Sequence, residues 1–125
     1  MKINDVSKMY EISQDTLRYY EKIGLIPPVN RSKNGIRDYN EEDCRWVEYI
    51  KCMRGAGLPI ETLIEYVDLS KKGDKTVDQR KEILQGQRKD LINKIAELQE
   101  TLKRLDFKIE RYEKMVEKEK TLKGN

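Results

Sequence analysis

Cys44 and Cys52 are the strongest nucleophiles in this 125-residue sequence, which contains no histidine. A histidine-based catalytic triad, a histidine metal ligand and an imidazole pH switch are thereby ruled out for this chain. The commonest tools of an enzyme are therefore missing, so we do not expect this chain to be an enzyme, and we expect no cofactor. The two cysteines lie eight residues apart, about 12 Å along a helix, which is too far for a disulfide. Two unpaired cysteines are typical of a reducing compartment.

Charged residues make up 39% of the chain and hydrophobic residues 37%. That leaves too few apolar side chains for one compact core along the whole length, so part of the chain must be elongated or associated. The charges are also unevenly placed. Residues 18–37 carry five cations and a single acid, Glu21, whereas residues 38–48 carry five acids and one cation. A basic stretch followed by an acidic one favours a directional electrostatic face over ordinary solvated charge.

The sequence shows no sign of a membrane segment or an export signal. No apolar run approaches the roughly 20 residues of a membrane span. The N-terminal residues also lack the apolar stretch of a signal peptide. We expect a cytoplasmic protein.

Capping residues predict two short helices at the start of the chain. Asn4 is expected to cap the first helix, and Ser13 to cap a second helix that ends at Gly24. Two short helices joined by a tight turn predict a helix-turn-helix motif.

Residues 29–39 are expected to form a basic β-hairpin, because Asn34-Gly35 is a strong hairpin-turn signal. A basic hairpin directly after a helix-turn-helix is the pattern of a winged helix. Asn40 then caps a third helix, and Pro59 opens a fourth. The predicted fold class is all-α with a small β-hairpin wing: a winged helix-turn-helix head followed by a long C-terminal dimerisation helix.

Residues 77–120 predict one helix about 66 Å long. Its apolar residues follow alternating steps of four and three through more than three heptads: Leu91, Ile95, Leu98, Leu102, Leu105, Ile109 and Tyr112. One narrow apolar seam needs a partner, most simply a second copy, so we expect a homodimeric coiled coil. The residue types along the seam alone favour a parallel pair. The expected domains are a head (1–75), a dimerisation helix (76–120) and a short tail (121–125).

The segments "TLRYYEKIGLIPP" (16–28) and "NGIRDYNEEDCRWVEYIKCMRGAGLPIE" (34–61) resemble the MerR family of bacterial transcription regulators. The resemblance implies a sequence-specific regulator whose homodimer has an antiparallel coiled coil, in place of the parallel pair. Its partners would be double-stranded promoter DNA and RNA polymerase, on the bacterial nucleoid. Such regulators bind an inverted repeat in a promoter spacer and distort that DNA to switch transcription. Glu11 stands where the family usually has glycine, a departure that is tolerated if the turn avoids positive φ.

The predicted recognition helix is Gln14–Ile23, with its first turn in the major groove. Its DNA-facing side chains are expected to be Gln14, Asp15, Thr16, Arg18 and Tyr19. Arg18 can pair with guanine, or alternatively form a salt bridge with Asp15 or Glu21. Asp15 can contact a base or interact with the helix dipole, while Thr16 and Tyr19 are placed for phosphates.

The hairpin supplies a further set of expected phosphate contacts: Arg31, Lys33, Arg37 and Tyr39. The alternative for Tyr39 is a core position under the wing. The family resemblance implies backbone contacts for Arg37 and Tyr39, and one nearer the dyad for Arg54.

The cysteines of metal-sensing family members are missing from this chain, so we expect no metal site. The segment "YIKCMRGAGL" instead resembles the aldehyde- and thiol-stress-responsive branch, in which Cys52 would be the sensor. Lys51 and Arg54 are neighbours that would favour its thiolate. The alternatives are that Cys52 is an inert half-buried residue, and that the whole chain is a structural coiled-coil adaptor for a protein partner. Cys44 is expected to be structural.

Overall fold

Within residues 1–123, the part of the chain that the computed structural model describes, five α-helices follow one another. They are α1 (Ile3–Tyr10), α2 (Gln14–Ile23), α3 (Glu41–Gly55), α4 (Ile60–Lys71) and α5 (Val77–Lys123). A short 3-10 turn, Asp74–Thr76, precedes α5. The chain divides into a first unit, Met1–Gln87, and a second unit that begins at Arg88.

The turn between α1 and α2 depends on a left-handed residue and a helix cap. Glu11 adopts φ 54° and ψ 46°, and its N–H donates to the carbonyl of Ser7. The condition under which Glu11 would be tolerated without strain, a turn that avoids positive φ, is therefore not met. Ser13 caps α2 as predicted, since its side chain accepts from the N–H of Thr16. Asn4 lies inside α1 and not before it, so the cap expected there is wrong.

Residues 29–39, here called the basic segment, contain no strand, and no sheet occurs among the described residues. The expected β-hairpin wing is therefore wrong, and the head is helical. The predicted turn does form, with Gly35 at φ 76° and its N–H donating to the carbonyl of Ser32. Beside the turn, an isolated antiparallel bridge joins Arg31 and Arg37.

Hydrogen bonds to one carboxylate explain why the bridge does not extend into a β-ladder. The N–H groups of Asn30 and Asn40, which a longer ladder would use, both donate to Asp43 Oδ2, at 3.4 Å and 3.0 Å. The preceding pair, Pro27-Pro28, has no N–H to offer. The donors that a longer ladder would need are therefore missing or already bonded to side chains.

The starts of α3 and α4 agree with the sequence. Asn40 and Asp43 form a reciprocal capping box, in which each side chain accepts from the other residue's N–H. This arrangement satisfies two backbone N–H donors at the start of α3. Pro59 immediately precedes α4.

Apolar side chains from α1 to α4 and the connecting residues form the core of the first unit. Those that are at most 1% exposed are Val6, Leu17, Leu25, Ile26, Tyr39, Val47, Ile50, Leu58, Leu63 and Val67. The inward face of α3 contributes Val47 and Ile50, and α4 contributes Leu63 and Val67. This core holds the first two helices in a fixed arrangement.

α5 spans 47 residues, about 70 Å. Its described part extends to Lys123, three residues beyond the predicted end, so the predicted tail (121–125) is helical as far as residue 123. The last two residues of that tail lie outside the described residues. None of the helices within residues 1–123 has both the length and the apolar character to cross a membrane.

Candidate nucleic-acid interface

The exposed face of α2 carries polar side chains that bond mainly to one another. Arg18 donates from Nη1 to Asp15 Oδ1 at 3.0 Å and from Nη2 to Gln14 Oε1 at 3.3 Å. Gln14 in turn donates from Nε2 to Asn4 Oδ1 of α1 at 3.2 Å. Because the side chains of Arg18 and Asp15 are 45% and 97% exposed, their ion pair is worth about 1 kcal/mol or less. These side chains are therefore available to other polar partners.

The start of α2 provides a second polar feature. The hydroxyl of Ser13 donates to the hydroxyl of Thr16 at 2.8 Å, next to the unpaired N–H groups and positive dipole end of a helix, which favour a phosphate. Tyr19 is 52% exposed on the same helix, whereas Leu17 is fully buried. Tyr19 therefore faces outward from α2, and Leu17 packs into the core.

Glu21 joins α2 to the basic segment. Its Oε1 accepts from Arg37 Nε at 2.7 Å and its Oε2 accepts from the N–H of Val29 at 2.9 Å. Arg31 Nη2 lies 4.0 Å from the same Oε1. Burial raises the pKa of Glu21, but these hydrogen bonds and the two guanidinium charges outweigh it and lower the pKa below its ordinary value.

Cations and one apolar side chain lie on the surface of the basic segment. Arg31 and Lys33 are exposed, and Arg31 Nη1 donates to the carbonyl of Gly35 at 3.0 Å. The side chain of Arg37 is only 25% exposed because of its pairing with Glu21. Ile36 is 55% exposed between these residues.

Tyr39 lies in the core under the basic segment. It is 1% exposed, and its buried hydroxyl has no hydrogen-bond partner among the described residues. Burial raises its pKa above the ordinary value. This position matches the core alternative from the sequence, and a phosphate contact through the hydroxyl would require the side chain to move outward.

Two cations of α3 bond to backbone carbonyl groups. Arg54 donates from Nη1 to the carbonyl of Leu58, between α3 and α4, at 3.0 Å. Lys51 donates from Nζ to the carbonyl of Tyr10, the last residue of α1. Cationic side chains commonly satisfy a helix C-terminal carbonyl as Lys51 does. The hydrogen bonds found for Lys51 and Arg54 thus go to the backbone and not to Cys52.

The two cysteines have opposite environments. Cys52 is exposed, whereas Cys44 is buried, and both are free thiols. Burial raises the pKa of the Cys44 thiol, and the nearby Asp43 carboxylate adds to the increase. Fewer Cys44 side chains are therefore thiolates at neutral pH.

An aromatic cluster that the sequence analysis did not identify links α3, α4 and α5. The rings of Trp46, Tyr49 and Tyr66 have centroids 5.7 to 6.2 Å apart and border an open cavity of about 250 Å³. The Tyr49 hydroxyl donates to Gln87 Oε1 at 3.2 Å, and burial raises the pKa of Tyr49 to about 12. Gln87 is 5% exposed, and its Nε2 has no hydrogen-bond partner within residues 1–123.

Sequence reasoning identified the polar face of α2 but did not single out Glu21 or Ile36. A signal for Glu21 was present, since it is the single acid among residues 18–37.

Within residues 1–123, no group of three or more histidine, cysteine or acidic side chains could hold a metal ion.

The apolar seam of α5 remains open to solvent in the single chain. Exposure ranges from 45% at Ile95 to 68% at Leu98, and Leu91 is half-buried.

An outward-facing second helix of a helix-turn-helix, beside a basic segment, defines a helix-turn-helix DNA-binding protein. The open heptad seam adds a coiled-coil helix to that class.

Comparison with known proteins agrees with this class. The family model described as MerR HTH family regulatory protein matches residues 1–69, and the model described as MerR, DNA binding, matches residues 44–107. The chain belongs to the MerR family, and it is a DNA-binding transcriptional regulator.

Individual relatives are regulators and not enzymes. The transcriptional regulator AdhR of Bacillus subtilis is 58% identical over 92 residues, which are 74% of this chain and 66%, just under two thirds, of that regulator. A MerR family regulator from Listeria monocytogenes has a crystal structure with a TM-score of 0.88 and 47% identity, covering 90% of this chain and 86% of its own. HiNmlR, a MerR family regulator lacking the sensor domain, was crystallised bound to promoter DNA. Its TM-score is 0.83 at 29% identity, with 90% of each chain covered.

Proposed function

We propose that the chain binds an inverted repeat in a promoter spacer as a homodimer, with one α2 in the major groove of each half-site. The observation that carries this proposal is the exposed polar face of α2. Gln14, Asp15 and Arg18 bond mainly to one another, so base edges can replace those bonds at little cost. A bidentate contact from Arg18 to guanine would supply about 1–3 kcal/mol of discrimination.

Phosphate contacts would position this helix on the duplex without reading its sequence. Five side chains around the polar face are suited to this role: Thr16, Tyr19, Arg31, Lys33 and Arg54. Arg37 would reach a phosphate with the guanidinium nitrogens that Glu21 leaves free. Tyr39 would support the basic segment from the core.

The dimer would form through the exposed seam of α5, since burying it against a second copy removes a continuous apolar stripe from water. Leu98→Asp tests this interface. Burying one leucine contributes about 1.5–3 kcal/mol in each copy, so the dimer dissociation constant should rise at least about 100-fold in sedimentation experiments. Phe107→Asp is the matched control, because Phe107 is 61% exposed on the same helix and lies off the seam. An unchanged dimer in the Leu98→Asp variant would contradict the interface.

Distortion of the spacer would switch transcription in the bacterial cytoplasm by changing how RNA polymerase meets the promoter. Selection of bound sequences from a random DNA pool at about 0.15 M salt, followed by footprinting, tests DNA recognition. We expect an inverted repeat that is protected across its centre. Recovery of no consensus would contradict the proposal and favour a coiled-coil adaptor.

Cys52 is our proposed sensor of reactive aldehydes. Its exposure on α3, the family resemblance and the identity with AdhR support this role. The Cys52 sulfur, as thiolate, would form a C–S bond to the aldehyde carbon. The carbonyl π electron pair would move to oxygen, which takes a proton, so the addition needs no oxidant. Tyr49, one turn earlier on α3, would transmit the change to α5 through Gln87.

Transcription in vitro from the selected promoter, with and without formaldehyde, tests the sensor. The Cys52→Ser variant should keep its DNA affinity and lose the aldehyde response. The Cys44→Ser variant, which changes the buried cysteine, should keep the response. A full aldehyde response in the Cys52→Ser variant would exclude this role.

A further inference from the structure

We infer that Glu21 is a positioning residue: it sets the basic segment against the recognition helix and reduces sequence-independent binding to DNA. The inference rests on the proposed function, because it concerns how the same DNA-binding face discriminates between sequences. Glu21 touches no base or phosphate in this role. It acts through Arg37 and Val29.

One carboxylate bonds to two distant positions of the basic segment. Oε2 accepts from the N–H of Val29 where the segment begins, and Oε1 accepts from Arg37 Nε near its end. The side chain of Glu21 is 13% exposed, so both bonds are largely shielded from water. The two ends of the segment are therefore attached to α2 at a single point.

The absence of a β-ladder in this segment makes that attachment more important. Ser32 N–H donates to the carbonyl of Ile36 at 2.8 Å, and Asp38 N–H donates to the carbonyl of Asn30 at 2.7 Å. These bonds close the segment on itself and do not hold it against α2. Without Glu21, the segment would lose its side-chain connection to the recognition helix, and Arg37 and Arg31 would lose the carboxylate that orients them relative to α2.

Glu21 also offsets positive charge next to the DNA-binding face. It pairs with Arg37 and lies 4.0 Å from Arg31 Nη2. Free cations on this segment would attract any DNA through its phosphates, which raises affinity without raising specificity. The carboxylate therefore weakens binding to random sequences and preserves the geometry needed for the correct one.

Glu21→Gln tests the inference, since it removes the charge and nearly preserves the shape. Affinity for a random duplex should rise about fivefold at 0.15 M salt, and the plot of log K against log salt should steepen by about one charge. The ratio of operator to random affinity should fall. Glu65→Gln on the exposed face of α4 changes the net charge equally, and because salt screens distant charges, it should leave the ratio unchanged.

Glu21→Asp separates position from charge. Aspartate keeps the charge but is one methylene shorter, so it cannot reach Val29 and Arg37 together. We expect a lower operator-to-random ratio with an unchanged salt slope. Ratios equal to wild type in both Glu21 variants would overturn the inference. A wild-type protein that selects no operator would refute the proposed function instead, while the random-duplex measurements would still test Glu21.

Discussion

Arg37 Nε lies 2.7 Å from Glu21 Oε1, in an ion pair between residues sixteen positions apart. Both side chains are mostly shielded, with 25% and 13% exposure. Sequence alone presents Arg37 as one of several free cations facing DNA. In the structure, the carboxylate of Glu21 partly neutralises the charge of Arg37. The basic segment therefore presents less positive charge to DNA than its composition indicates.

Arg37→Ala should destabilise the folded head as well as alter DNA binding. The substitution leaves the buried carboxylate of Glu21 with a single backbone donor, which we expect to lower the unfolding free energy by about 1–3 kcal/mol. Urea unfolding at fixed protein concentration measures this loss. Combining Arg37→Ala with Glu21→Gln should recover part of it in a double-mutant cycle.

A control for this ion pair is available on the surface. Arg45 and Glu41 lie 3.5 Å apart, with side chains 67% and 90% exposed. Arg45→Ala should therefore change the unfolding free energy by less than about 1 kcal/mol. Equal losses in the Arg37 and Arg45 variants would mean that the Glu21 pair contributes no more than a surface ion pair.

Acid should weaken the protein partly through Glu21. Burial raises the pKa of this carboxyl, but the Arg37 and Val29 hydrogen bonds lower it more, so the folded value lies below the ordinary 4.5. Such a group stabilises the folded state above its unfolded pKa and loses that contribution as pH falls through its folded pKa. The stability advantage of wild type over Glu21→Gln should shrink below about pH 4.5. A pH-independent difference in urea unfolding would contradict this expectation.

Tyr39→Phe removes a buried hydroxyl that has no hydrogen-bond partner among the described residues. An unsatisfied buried polar group is costly, so the unfolding free energy should stay equal or rise by up to about 1 kcal/mol. DNA affinity should be unchanged. Tyr39→Ala leaves a cavity instead and should cost about 3–5 kcal/mol. Weaker DNA binding by a stable Tyr39→Phe variant would show that the hydroxyl reaches a phosphate.

Glu11→Gly and Gly24→Ala should shift stability in opposite directions. Glu11 has a left-handed backbone conformation with φ 54°. This conformation costs a residue with a side chain about 1–2 kcal/mol. Because glycine removes this strain, the Glu11→Gly variant should have a higher melting temperature. Gly24 has φ 82°, and an added Cβ would lie 3.8 Å from Ile64 Cγ2, an ordinary contact. The stability lost in the Gly24→Ala variant is therefore due to backbone strain and not to a steric clash. If the melting temperatures of the Glu11→Gly and Gly24→Ala variants shifted in the same direction, this explanation would be contradicted.

Features set by neighbouring residues were predictable from the sequence. Ser13 and Asn40 cap their helices as expected, because a cap involves residues only three positions apart. The four-three spacing on α5 likewise revealed its exposed apolar seam. The Asn34-Gly35 pair correctly placed a turn, with Gly35 at positive φ.

Features set by distant residues were not predictable in the same way. The turn signal says nothing about what bonds to Asn30 and Asn40, and the Asp43 carboxylate takes the two N–H groups that a longer hairpin would use. The burial of Tyr39 also depends on the packing of residues far along the chain. A local pattern could therefore predict the turn but not the missing strands.

The side chains proposed to read DNA are nearly independent of those that hold the fold. Gln14, Asp15 and Arg18 bond to one another and to Asn4 at the surface, while Leu17 anchors the same helix in the core. Substitutions at those three outward positions leave the buried anchor intact. Paralogues that descend from such a head can therefore diverge in operator preference through a few surface replacements, and a library randomised at the three sites is a direct route to engineered repressors or activators for new promoters.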